Sequence, residues 1–160
     1  MLFRSVTAVI EDPLVQRFTR VPTPPPADFA ATWLERYEHG RREGTREVFA
    51  IEDAVDSTFL GLAVLPRIER ESATAEIGYM VASSARGRGV ATAAVRELAA
   101  WCFAELGLER LELLISAVNE ASKKVAQRCG FTYEGTLRSY AIKPGLREDT
   151  EIWSRLPTGE

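Results

Sequence analysis

Two arginines alternate with two glycines in Ser84-Ala85-Arg86-Gly87-Arg88-Gly89-Val90-Ala91-Thr92, and an apolar helical spacing begins at once. That arrangement suits an anion. Backbone N–H groups at a helix start lack partners, and the helix dipole favours negative charge there. Glycines let such a backbone approach a ligand closely, and Arg86 and Arg88 add positive charge at the same point. The plain alternative is a solvated turn between strand and helix with two incidental arginines. Two phosphate motifs are excluded by the residues themselves. No lysine follows the glycines, as a triphosphate loop requires. A dinucleotide fingerprint fails at Thr92, which stands where its third glycine belongs, and "LELLISAV" ends without the acidic ribose partner. His39, the sole histidine, lies in a charged stretch, and Cys102 and Cys129 fall within apolar helical patterns. A histidine-based triad, a metal centre and a disulfide framework therefore have little support.

The elements around the loop follow from periodicity. Asp12 with Pro13 starts a short helix, and the stiff segment "VPTPPPAD" leads to a second helix capped by Asp28. Phe29, Trp33, Leu34 and Tyr37 share one face of that helix, and "EHGRREGTRE" reads as a solvated loop. "EVFAIED" and "TFLGLAVL" form a hairpin, and "TAEIGYMV" a third strand. The helix opened by the glycine loop runs over Val90–Leu106 and stops at Gly107. "LELLISAV" is a buried strand, and Asn119 caps a helix ended by Gly130. Two last strands, Phe131–Leu137 and Thr150–Leu156, flank a loop containing Pro144 and Gly145. The fold class is mixed α/β around one central sheet. A length of 160 residues suits a single domain, 1–160, with one substantial core. Hydrophobic residues at 46% and a net charge of −3 argue against a nucleic-acid or anionic-membrane binder. The start has no signal-peptide core and no run suits a membrane span, so the expectation is a cytoplasmic protein.

Arg86-Gly87-Arg88-Gly89-Val90-Ala91 satisfies R-x-x-G-x-A and so resembles the pyrophosphate loop of the GNAT superfamily of acyl-CoA N-acyltransferases. "NEASKKVAQRCGFTYEG" resembles that superfamily's second block. The branch it is most similar to is the ribosomal-protein (N-terminal Ser/Ala) acetyltransferases, through Asn119, Ser122, Gly130, Phe131, Glu134 and Gly135. An A-E-I-G-Y strand, Ala75 to Tyr79, and an acidic residue before the last strand, for which Asp149 stands, extend the likeness over residues 47–156. Two departures matter. Many relatives carry, seven residues after the asparagine, a tyrosine that protonates the departing thiolate; here that place is Ala126. The usual first strand is missing or reduced to "MLFRSV".

The resemblance implies a GNAT fold: a mostly antiparallel twisted sheet flanked by helices, with a splayed strand pair holding acetyl-CoA as co-substrate. It implies Glu76 as the base, Ser122 as hydrogen-bond or proton donor to the thiolate, and Asn119 as a helix cap that also bonds the pantetheine arm or a water. Glu76 on a solvated strand face and Ser122 as a mere cap are the bland alternatives. Cofactor contacts are implied at Arg86, Gly87, Arg88, Gly89, Val90, Ala91 and Thr92, with an oxyanion N–H around Met80, Val81 and Ala82. Trp33, Tyr37 and Tyr140 are candidates for an acceptor groove, the first two read in preference as core aromatics. The expected activity is direct acetyl transfer in a ternary complex to a primary amine, foremost a protein or peptide N-terminus. A small amine (polyamine, amino acid or aminoglycoside) is the alternative acceptor, and a non-catalytic acyl-CoA sensor the alternative class. No metal is expected, and relatives are monomers or homodimers.

Overall fold

Asp12 begins the helical wall of the molecule: its carboxylate accepts the Leu14 and Val15 N–H groups at 2.9 and 3.2 Å. Pro13 takes the first helical position, where a missing N–H costs nothing. This helix, α2, spans Pro13–Phe18; α1 precedes it at Leu2–Ile10 and α3 follows at Phe29–Glu43. The computed structural model describes residues 2–158. Three expectations are corrected here. The described part of "MLFRSV" is helical, because Val6, Val9 and Ile10 share one buried face (Met1 lies outside the described residues). Asp28 makes no side-chain cap. The charged "EHGRREG" stretch continues α3 through Glu43, its exposed charges meeting at i,i+4 spacing as His39–Glu43 and Glu38–Arg42.

β1 (Glu47–Glu52), β2 (Phe59–Glu69) and β3 (Thr74–Val81) form an antiparallel meander. α4 (Val90–Leu106) crosses to β4 (Arg110–Ser116), and α5 (Glu120–Arg128) leads to β5 (Thr132–Lys143) and β6 (Leu146–Arg155). The sheet runs β1-β2-β3-β4-β6-β5, and only the β3–β4 pairing is parallel. The final strands exceed the sequence expectation. Tyr140–Asp149, expected to be a loop, is strand on both sides of the turn at Pro144 and Gly145.

Each face of the sheet buries its own core. Ala75, Ile77, Leu111, Leu113 and Ile115 pack with Val95, Ala99, Cys102 and Ala126 on the α4–α5 face. Leu62, Val64 and Met80 pack with Val6, Val15, Trp33 and Tyr37 on the α1–α3 face. Strand alternation therefore puts Glu76 on the α1–α3 side and Tyr79 on the α4–α5 side.

β3 and β4 pair only at Thr74–Arg110, Ala75–Leu111 and Glu76–Glu112. Beyond that level β3 stays paired with β2 as far as Val81–Gly61, and β4 stays paired with β6 as far as Ser116–Thr150. A bulge in β2 between Val64 and Arg67 adds local twist where the pairing ends. The two strands thus diverge and leave a slot through the sheet. Gly61 backs the slot wall at φ +158°, and a Cβ there would lie 2.2 Å from the Met80 carbonyl oxygen. Gly61→Ala should therefore destabilise the fold by about 3 kcal/mol, since backbone strain and a backbone clash coincide. A lowered urea midpoint with unchanged slope is the expected readout; a wild-type midpoint would refute the clash.

Candidate active site

α4 begins without a side-chain cap. Gly89 takes the left-handed conformation at φ 77°, and Gly87 does so at 72°. A Cβ on either would meet nothing within 4 Å, so the loop's outer surface is open. The N–H groups of the first turn, over Val90, Ala91 and Thr92, therefore have no side chain covering them, which is the arrangement that favours an anion. Both neighbouring arginines have protein partners. Arg86 Nη2 donates to Asp12 Oδ1 at 2.8 Å, and Arg88 Nη2 lies 3.6 Å from Asp53 Oδ2. A phosphate at this helix start would share Arg86 and Arg88 with carboxylates. A cleft of about 720 Å3 lies beside the loop, between the β1 edge and α4 from Arg88 to Trp101. Its lining contains neither Glu76 nor Ser122.

The slot edge carries unpaired backbone. Ala82 N–H donates to the Leu60 carbonyl at 2.8 Å, so by antiparallel alternation Met80 also points its N–H at β2. Tyr79 and Val81 turn theirs towards the slot. Within the expected donor stretch Met80, Val81 and Ala82, the Ala82 N–H is already taken by β2, and alternation leaves that of Val81 facing the slot.

Asn119 and Ser122 come together at the start of α5. Asn119 Oδ1 accepts the Ser122 N–H at 3.2 Å, and Asn119 Nδ2 donates to Ser122 Oγ at 3.0 Å. Tyr79 Oη donates to the same oxygen at 2.8 Å from across the slot. With two hydrogen bonds accepted, Ser122 retains its own proton for a ligand. Burial pushes the Tyr79 hydroxyl above its ordinary value despite the Ser122 hydrogen bond, so it remains protonated at neutral pH. Tyr79 had no assigned role in the sequence reading. The missed signal was parity, because residue 79 falls on the opposite face of β3 from Glu76 and faces the capped helix.

On the α1–α3 face Glu76 is buried, 7% exposed, and its Oε1 accepts Arg20 Nη1 at 2.7 Å. Arg20 was likewise missed, since a loop arginine 56 residues away has no local signature. Tyr37 and Tyr140 stand near enough to act on its charge. Tyr140 is half-buried at this basin, whereas Trp33 and Tyr37 are core side chains, 6% and 5% exposed, with ring centroids 4.3 Å apart. Arg17 clamps Glu148 with two bonds of 3.0 and 2.8 Å, and Lys143 Nζ donates to the Gln16 and Val21 carbonyls. Among the described residues no group of three or more His, Cys, Asp and Glu side chains could hold a metal. Burial pushes the Cys102 thiol up to about 12 and raises Cys129 as well, so neither is a ready nucleophile.

Residues 3–132 match the Acetyltransferase (GNAT) domain family. The chain belongs to the GNAT acetyltransferase family. It is 35% identical over 101 residues to YdaF of Bacillus subtilis, provisionally a ribosomal N-acetyltransferase, with 63% of this chain and 55% of that protein covered. It is 33% identical to the L-amino acid N-acetyltransferase AaaT of Escherichia coli over 83% of this chain and 79% of that protein. The chain thus spans about half the length of YdaF. The solved structure of RimL, a ribosomal L7/L12 alpha-N-protein acetyltransferase in complex with coenzyme A, shares the fold at a TM-score of 0.84. That likeness covers 97% of this chain and 86% of RimL at 21% identity. No helix of the described residues is long and apolar enough to cross a membrane.

The glycine-rich loop and β6 are coupled to acid stability through α2. Burial pushes Asp12 up, but the Arg86 hydrogen bond and the Val15 and Leu14 N–H groups outweigh it and leave it below 3.8. Arg17 first of all holds Glu148 below its ordinary 4.5. Carboxyls depressed in the folded state contribute stability above their unfolded values and lose it as pH falls through the folded ones. Stability should therefore decline below about pH 4. Asp12→Asn, which can still cap α2, should flatten part of that decline in urea titrations from neutral to acid pH. An unchanged slope would remove Asp12 from the account.

Proposed function

We propose that this GNAT acetyltransferase moves an acetyl group from acetyl-CoA to a primary amine, with a protein or peptide N-terminus as the preferred acceptor. The observation that carries the reading is the slot, which has a hydroxyl cluster on one face and a buried, arginine-clamped carboxylate on the other. The uncapped N–H groups of α4, with Arg86 and Arg88, suit the pyrophosphate, and acetyl-CoA supplies an activated acyl group as its thioester. Val81 N–H is aimed where a thioester oxygen lying in the slot would need a donor. Ser122, held by Asn119 and Tyr79, offers a proton on the leaving-group side. Glu76 accepts the amine proton directly or through one water, and the raised thiols of both cysteines favour direct transfer over a covalent intermediate.

The clamp on Glu76 bears on the acceptor. One Glu76 oxygen is already occupied by the Arg20 guanidinium, which leaves fewer lone pairs to receive an amine N–H. An acceptor that is partly neutral near pH 7 demands least of it. An α-amino group titrates at about 7.7–8.0 and a lysine-type amine at about 10.4, which favours N-termini over polyamines. The ribosomal N-acetyltransferase assignment of YdaF agrees with this preference. A small amine acceptor is the second reading, favoured by the likeness to AaaT, whose name specifies an L-amino acid.

Acetyl-CoA should raise the melting temperature. Thiol release should then be faster with peptides bearing free N-termini than with polyamines, free amino acids or aminoglycosides. Glu76→Gln should lower turnover about a hundredfold while leaving the acetyl-CoA thermal shift unchanged. Wild-type turnover in that variant across the pH range would remove Glu76 from the mechanism. Faster transfer to a small amine would replace the N-terminal reading.

A further inference from the structure

Arg20 and Glu76 meet through a single hydrogen bond, Nη1 to Oε1 at 2.7 Å, and neither side chain makes another among the described residues. Arg20 therefore keeps unused N–H groups on Nε and Nη2, and Glu76 keeps Oε2. Ser116 Oγ is the one fully enclosed side-chain polar atom without a partner among the described residues. Glu76 is a buried residue, so its unpartnered Oε2 must reach open space on the α1–α3 face.

Other arginine–carboxylate pairs in the chain are more completely used. Arg17 places two N–H groups on the two oxygens of Glu148, and Arg110 does the same on Glu134 while its Nε donates to Glu112. Arg41 divides its guanidinium: Nε donates to Glu47 Oε2 at 2.8 Å and Nη2 to the Val48 carbonyl at 2.9 Å. One planar fork there holds a carboxylate and a peptide carbonyl together. Arg20 has the carboxylate half of that arrangement and lacks the carbonyl half.

The backbone on either side of Arg20 is anchored. Thr19 Oγ1 donates to the Val15 carbonyl at 2.6 Å and accepts the Val21 N–H at 3.2 Å. Val21 is buried, and its carbonyl accepts Lys143 Nζ. The guanidinium thus rises from a fixed turn with its side chain 48% exposed, at the level where β3 and β4 part. A ligand that brings a nitrogen to Glu76 Oε2 passes beside its free arms.

An α-amino carbonyl group matches these two vacancies. Its nitrogen donates, its carbonyl oxygen accepts, and only three bonds separate them, so both can lie against one ion pair. A polyamine offers donors alone, and its further ammonium groups are repelled by the guanidinium.

We infer that Arg20 is a specificity-determining residue, receiving the carbonyl oxygen next to the acceptor's amine while Glu76 Oε2 receives the amine N–H. This rests on the acetyltransferase reading and deepens it by naming the acceptor chemistry as an α-amino carbonyl group. A peptide N-terminus and a free amino acid both carry that group. Because the guanidinium is half-exposed, an acceptor without the carbonyl leaves it hydrated rather than stranded. The discrimination is therefore about tenfold, well short of what a sealed polar site achieves.

The test compares three acceptors in the full chain: a peptide beginning with alanine, free alanine, and isopropylamine, which keeps the branched carbon but has no carbonyl. Corrected for the neutral fraction of each amine, wild-type kcat/KM should be about tenfold higher for the better carbonyl acceptor than for isopropylamine. Whichever of peptide and free alanine is faster identifies the source of the group, and either supports the contact. Arg20→Lys keeps a cation beside Glu76 without the planar fork. It should lower kcat/KM about tenfold more for the carbonyl acceptor than for isopropylamine, chiefly through KM, with the acetyl-CoA thermal shift reporting a folded chain. Equal losses on both acceptors would overturn the inference, because Arg20 would then act only by holding Glu76. Parity between carbonyl acceptors and isopropylamine in the wild type would overturn it without any variant. A chain that binds acetyl-CoA but acetylates no amine at all would instead overturn the parent reading.

Discussion

The interaction on which this molecule turns is one that stops. Parallel pairing of β3 and β4 ends at Glu76–Glu112, because each strand is bound along its remaining length to a different neighbour. A sheet interior with unpaired N–H groups is unfavourable unless something else satisfies them. The divergence has two effects at once. It turns Tyr79 and Val81 N–H towards an opening, and it joins two faces that alternation otherwise keeps apart. Glu76 and the Tyr79–Ser122 pair lie on opposite faces of the sheet, and the slot is what connects them.

A short segment ties the parts of the site together. Residues 12–20 include only the six helical residues of α2, far fewer than an isolated helix needs for stability in water. Three of its residues reach three separate elements: Asp12 to Arg86 in the anion loop, Arg17 to Glu148 on β6, and Arg20 to Glu76 on β3. Lys143 adds to this by donating to the Gln16 carbonyl within the segment and to the Val21 carbonyl just beyond it. A helix with little stability of its own is thus defined by charges, and the same charges are those of the proposed site. Movement at Glu148, at Glu76 or in the Arg86 loop would be felt by this one segment.

Much of this was legible in the sequence because its signals are local. The left-handed glycines, the Asn119 cap with Ser122 in the first turn, the strand order up to β4 and the buried cysteines each follow from a few adjacent residues. What escaped depends on distant partners. "MLFRSV" holds apolar residues compatible with strand or helix, and burial of Val6, Val9 and Ile10 against α3 and β2 decides for helix. Tyr140–Asp149 reads as a loop from its Pro-Gly pair, yet pairing with the neighbouring strand extends structure to the edge of a two-residue turn. Asp28 sits where a cap belongs, but its backbone conformation leaves the side chain unused. The Arg20 partnership with Glu76 joins a loop to a strand and has no sequence period to reveal it.

Packing decides which element can carry a phenol beside Ser122. Ala126 is fully buried in the α4–α5 core, the cluster that also holds Ala99 and Cys102. Close-packed interiors leave no room for an aromatic ring where an alanine is fully buried. A tyrosine at that place would have to push α5 away from α4, and with it the Asn119–Ser122 turn. The structure instead holds a phenol on β3, where Tyr79 crosses the slot to Ser122 at 2.8 Å. This choice has a consequence for assembly. A donor on α5 would be in place once that helix formed, whereas one on β3 meets Ser122 only when the splay has the right width. The hydroxyl cluster is therefore a gauge of the slot itself, and any change that lets β3 and β4 zip together or drift apart breaks it.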